Sequence, residues 1–158
     1  MATRSAGVVL HRPGPGGGPD GIEVLLGHMG GPFWARKDDG AWSIPKGEHG
    51  PDEEPRAAAA REFAEELGAP LPEGPLVELG EVRLSGGKRI TAFALAADFD
   101  ADAIVPGVFT MEWPPRSGRQ QEFPEIDRAA WFDLDTARRK ITKGQLPLLD
   151  RLPAVLAG

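Results

Sequence analysis

Glu62, Glu65 and Glu66 stand three and four residues apart, a spacing that puts their side chains on one stripe of an α-helix. Like charges at that interval, with Cβ atoms roughly 5–6 Å apart, destabilise an isolated helix, yet the same distance suits carboxylates that share a hard cation. Mg²⁺ takes oxygen ligands of this kind, and Mn²⁺ accepts the same set. Arg61, four residues before Glu65, offers a guanidinium that can orient a carboxylate through paired hydrogen bonds. These residue types point to a divalent-cation site with an arginine organiser; the plainer alternative is a solvated amphipathic helix.

A helix over 53–67 must carry this stripe. Asp52 can cap it, Glu53 and Glu54 suit the positive end of its dipole, Pro55 is tolerated in the first turn and Gly68 is a natural stop. Ala59, Ala60, Phe63 and Leu67 then form the apolar face that anchors it. Strands are predicted at 5–11 and 22–28, separated by a glycine- and proline-rich loop at 13–20 that reads as a flexible hairpin insertion. Further strands are predicted at 41–44, 76–84, 89–97, 108–113 and 129–132, with a hairpin turn at 85–88. Asp133 can cap a helix running to 140, and 144–156 suggests a last helix interrupted by prolines. This order supports an α/β or α+β domain.

The full pattern is Gly47, five residues, Glu53, seven residues, Arg61-Glu62, Phe63, any residue, Glu65-Glu66, any residue, Gly68 and Ala69. It resembles the signature of the Nudix hydrolases without a mismatch. So many fixed positions would coincide by chance at only ~10⁻⁶ or less, which decides against the solvated helix. The resemblance implies an α/β/α sandwich with a mixed sheet between helices, and divalent-metal-dependent hydrolysis of a diphosphate linkage in a nucleotide. It implies metal ligation by Glu62, Glu65 and Glu66 and by a backbone carbonyl of the Lys46-Gly47 turn, with Glu53 supporting Arg61. A late acid six residues before a tryptophan maps to Glu125, preferred over Glu122; either Glu62 or Glu125 would take the proton from the attacking water.

At 158 residues, with 41% hydrophobic content, the chain suits a single domain over 1–158. It contains no cysteine, so neither disulfides nor thiolate metal sites contribute. No segment approaches membrane-spanning length, and a cytoplasmic location is expected. A net charge of −6 disfavours duplex nucleic acid and leaves small anions as the natural ligands. The sequence sets no oligomeric state, monomer or homodimer.

For substrate, Lys46 beside the glycine turn can stabilise a departing phosphate, Trp34 and Trp42 can stack a base, and Arg116 can meet phosphate from a loop. Phe33, Phe109 and Trp113, and the cations Arg36, Lys37, Lys88, Arg89 and Arg119, are weaker candidates of the same kinds. The approach at 42–47 resembles Nudix enzymes acting on diadenosine polyphosphates, and 111–125 resembles a bacterial branch of nucleotide pyrophosphohydrolases. The expected substrate is a dinucleoside polyphosphate or a nucleoside triphosphate. ADP-ribose or nucleotide-sugar cleavage, and a non-catalytic nucleotide sensor, are the alternatives.

Overall fold

Strand β1 (Arg4–Pro13) is apolar on both faces: Ala6, Val8 and Leu10 enter one core and Val9 the other. That pattern belongs to a strand covered on both sides. The computed structural model describes residues 3–15 and 21–157. Around β1 lie β2 (Ile22–Met29), β3 (Trp42–Ser43) and β4 (Lys46–Glu48), then β5 (Val77–Arg83) and β6 (Arg89–Ala96). Strand β9 (Ile126–Asp133) completes a sheet ordered β3-β2-β1-β6-β5, with β4 also pairing β1 and β9 pairing β2. Among the strand pairings of the described residues, β1–β6 alone is parallel, so the sheet is mixed. β7 (Val108–Glu112) and β8 (Gln120–Pro124) form a separate two-stranded hairpin.

Helix α1 (Pro55–Leu67) buries Ala58, Ala59, Phe63 and Leu67 on one face of the sheet, and Phe63 meets Phe99 edge-on at 5.3 Å. Helix α3 (Leu146–Ala157) lays Leu148, Leu149 and Leu152 on the opposite face, joined by Ala137 of α2 (Leu134–Lys140). The result is the expected α/β/α sandwich. Asp133 caps α2, its carboxylate accepting the Thr136 N–H at 2.8 Å.

Several expectations need correction. Ala58, not Ala60, completes the apolar face of α1, and the helix starts two residues late. The last helix is continuous: Pro153 lies inside it on the exposed side, and Pro147 stands in its first turn, where no N–H is needed. β4 and β8 were not anticipated. Residues 16–20 of the expected loop insertion lie outside the described residues, and β1 itself continues to Pro13.

Candidate active site

The site is organised at the start of α1. Proline disfavours helical backbone in the residue before it, so Glu54 stays extended (φ −69, ψ 132) and becomes the N-cap in place of Asp52, accepting the Ala57 N–H at 3.1 Å. Glu53 is thereby left outside the helix, where both its oxygens meet Arg61: Nε and Nη2 each donate at 2.8 Å. The same guanidinium donates through Nη1 to Glu62 (2.9 Å) and Glu65 (3.0 Å), and through Nη2 to the Glu48 carbonyl (3.3 Å). One planar fork thus ties together the loop, β4 and two turns of α1. Arg61 holds the Glu53 carboxyl below its usual range, and Glu53 in turn raises the guanidinium further above its own.

β4 sets the other wall. Val8 N–H donates to Pro45 O at 3.1 Å and His49 N–H to Arg4 O at 2.9 Å. Alternation between these brackets commits the polar backbone of Gly47 to its partner Ala6 and turns that of Lys46 away from β1, toward α1. Of the two expected carbonyls, that of Lys46 is free of the sheet, while that of Gly47 is paired with Ala6. Gly47 serves differently. A Cβ there would lie 1.8 Å from Glu62 Oε2, so the carboxylate can rest against the strand only because the side chain is absent.

Glu66 is half-buried on the floor of a cleft of about 370 Å³, together with Lys46, Ser43, Trp34, Phe109 and Glu125. Its carboxyl still reaches the cleft, but the surrounding protein removes most of its hydration. Burial pushes its pKa up to about 8, and the charges of Glu125 and Glu62 add to the rise, while Lys46 opposes it through its ammonium and a backbone hydrogen bond. Burial also raises Glu62, against the pull of Arg61, and Glu65 and Glu125 again contribute.

Glu125 arrives from the other end of the chain. Its N–H donates to Gly107 O at 2.8 Å and its carbonyl accepts from Gly30 at 3.0 Å, fixing it between two loops at the mouth of the cleft. Glu122, the less favoured candidate, pairs with Thr110 out on the hairpin.

Two substrate candidates lie outside the cleft lining. Trp42 is 3% exposed in the α3-side core, its ring edge-on to Phe132 and His28 and its Nε1 donating to Asp38 at 2.9 Å, so it has no face for a base. Arg116 lies in the turn of the β7–β8 hairpin and is not among the residues lining the cleft, which the hairpin meets at Phe109. Trp34 remains at the cleft. Sequence reasoning missed two positioning residues. His28 is buried with Nε2 donating to Lys37 O at 2.6 Å and Nδ1 facing Asp127 Oδ1 at 2.8 Å, which anchors the loop bearing Trp34. Gln145 holds the approach to β4, accepting from Ile44 N–H and donating to Ser43 Oγ, both at 3.0 Å. No local pattern marks either one.

Among the described residues no three acids or histidines already stand at metal-ligand geometry, since Arg61 draws Glu62 and Glu65 toward itself. The donor set nevertheless fits a hard dication. It consists of oxygens only, Glu66 resists ionising without a compensating charge, and the Lys46 carbonyl faces the same side.

The NUDIX domain model matches residues 1–152. A search of curated proteins gave no significant match. Among solved structures, an Ap4A hydrolase from C. elegans in a binary complex superimposes with a TM-score of 0.63 at 22% identity, covering 99% of this chain and 98% of that one. The NUDIX domain of Shewanella oneidensis NrtR, complexed with ADP ribose, gives 0.66 at 16% identity, covering 99% and 89%. The MutT protein of Methanosarcina mazei Go1 gives 0.61 at 17%, covering 99% and 96%. These likenesses establish a common fold. With the domain match spanning nearly the whole chain, and the motif from Gly47 to Gly68 folded as a strand, loop and helix around Arg61, the chain belongs to the Nudix hydrolases, the pyrophosphohydrolase family.

Proposed function

We propose that this protein hydrolyses a diphosphate linkage in a nucleotide carrying three or more phosphates, a dinucleoside polyphosphate or a nucleoside triphosphate, using Mg²⁺ or Mn²⁺. The observation that carries the reading is the convergence of Glu66, Glu125 and Lys46 on one cleft with Glu62 held by Arg61 on the same helix, where burial pushes the Glu66 carboxyl up to about 8. The ionised cluster is unfavourable until a dication joins it. Glu62, Glu65, Glu66, Glu125 and the Lys46 carbonyl would hold the ion. When bound, it would neutralise the diphosphate oxygens and lower the pKa of the attacking water.

The chain's own groups supply the rest. Arg61 keeps Glu62 and Glu65 in place through its bonds to both. Glu62, or else Glu125, accepts the proton as water attacks phosphorus; both flank Glu66. Lys46, whose charge already acts on Glu66, can meet the departing phosphate. Trp34 and Phe109 on the cleft wall offer stacking surface for one base. A cleft of about 370 Å³ suits a single nucleoside with its first phosphates, so the rest of a longer substrate would lie across the rim. The fold shared with an Ap4A hydrolase is consistent with this choice.

The test is a panel of nucleoside triphosphates, dinucleoside polyphosphates, ADP-ribose, nucleotide sugars and 5′-triphosphorylated short RNA, assayed with each metal. A kcat/KM for ADP-ribose tenfold above every polyphosphate, a preference of about 1.4 kcal/mol in the transition state, would overturn the substrate assignment. Nucleotide binding with no turnover of any member would favour a sensor instead.

A further inference from the structure

Arg4 and Arg89 are direct partners across the parallel β1–β6 pairing, so their side chains leave the sheet on the same side; Arg83 faces Arg89 from β5. Like charges opposite one another in adjacent strands are destabilising. Among the described residues one loose ion pair offsets this. Arg89 Nη1 lies 3.7 Å from Glu81 Oε1, beyond hydrogen-bonding distance, and Arg4 forms no salt bridge among the described residues. Both arginines line a cavity of about 340 Å³, closed by His49, Pro51, Pro55 and Thr91.

Two acids also border this cavity. Glu53 is engaged by two bonds from Arg61, a guanidinium it shares with Glu62 and Glu65, and Glu81 is the acid left facing the two arginines. His49 Nδ1 donates to Gly50 O at 2.9 Å, so its Nε2 would donate to an anion only from the protonated ring. The cavity shares no lining residue with the cleft of Lys46, Glu66 and Glu125.

We propose that this cavity is a second anion site, which takes a phosphate-class dianion between Arg4 and Arg89: inorganic phosphate, pyrophosphate or the terminal phosphate of a mononucleotide. Guanidinium forks match the several acceptor oxygens of phosphate, and the ligand's charge would offset the cross-strand repulsion. The cavity borders Glu53, the carboxylate that Arg61 grips, so an occupant sits one residue from the organiser of the site.

The experiment is calorimetric titration of the full chain with phosphate, pyrophosphate and AMP separately, in chelator and at low salt. Without metal, the glutamate cluster repels anions, and binding reports the arginine cavity. We expect one saturable site for at least one of the three anions, weakened by added salt. Arg4→Gln and Arg89→Gln should each lower its affinity about tenfold or more, the scale of a lost charge-assisted hydrogen bond. Lys46→Ala, which removes the cleft's own cation, should leave it unchanged, and circular dichroism checks that each variant is folded. Relative affinities for the three anions distinguish a free phosphate from a nucleotide. Saturable binding of none of them overturns the proposal. So does binding that survives both arginine substitutions and is lost in Lys46→Ala.

Discussion

Replacing Glu66 with glutamine tests whether the fold holds this carboxyl against its preference. In the folded chain the group titrates near 8, against an ordinary value of 4.5. Between those limits the folded state binds a proton that the unfolded state has lost, so stability is fully present below about pH 4.5 and declines as pH rises toward 8. Each pH unit across that window costs about 1.4 kcal/mol, or about 3 kcal/mol at pH 7. Water reaching the cleft reduces this to about 2 kcal/mol. Glutamine has the shape of the protonated acid and no charge to lose. In chelator at pH 7–8, Glu66→Gln should therefore melt about 4–8 °C above the unmodified protein, at roughly 2–4 °C per kcal/mol for a chain of this size. At pH 5 the two curves should nearly coincide. With saturating Mn²⁺ the order should reverse, because the intact site gains more binding free energy than the variant. Thermal melts at three pH values, with chelator and with Mn²⁺, provide the measurement. A variant that melts lower than the parent in chelator at pH 8, or a gap that does not change with pH, would refute the reasoning.

Glu62→Gln should cut turnover by about 10²-fold or more while leaving the protein folded, as steady-state kinetics and circular dichroism would show. Gly47→Ala should also lose activity, because the new Cβ would lie 1.8 Å from Glu62 Oε2; Gly50→Ala, with nothing within 4 Å of its Cβ, is the matched control and should retain activity. Arg61→Lys keeps the charge but cannot span Glu53, Glu62 and Glu65 at once, and turnover should fall about 10- to 100-fold, as when a metal ligand loses its supporting partner. Trp42→Ala should destabilise by about 3–5 kcal/mol in denaturant titration, whereas Trp34→Ala should chiefly raise KM.

The sequence alone determined α1 and the grouping of Arg61, Glu62, Glu65 and Glu66, because a helix converts spacing directly into proximity and each of these contacts spans a few residues. It also determined where α1 stops, since Gly68 at φ 73 accepts a left-handed conformation that other residues resist. The helix start was nearly legible; the restriction Pro55 places on Glu54 shifted it and freed Glu53 for Arg61. Tertiary structure decided what depends on strand pairing. β4 has three residues and no alternation, and β8, Gln-Gln-Glu-Phe-Pro, reads as a polar loop; each is a strand only because a partner takes its backbone hydrogen bonds. The same pairing turned the Lys46 carbonyl toward α1 and brought Glu125 to the cleft through Gly107 and Gly30. Trp34 and Trp42 look alike in sequence. The sheet buried Trp42 against Phe132 and left Trp34 at the cleft, because which side of a strand faces which layer is set by register across the whole sheet and not by the residue's neighbours in the chain.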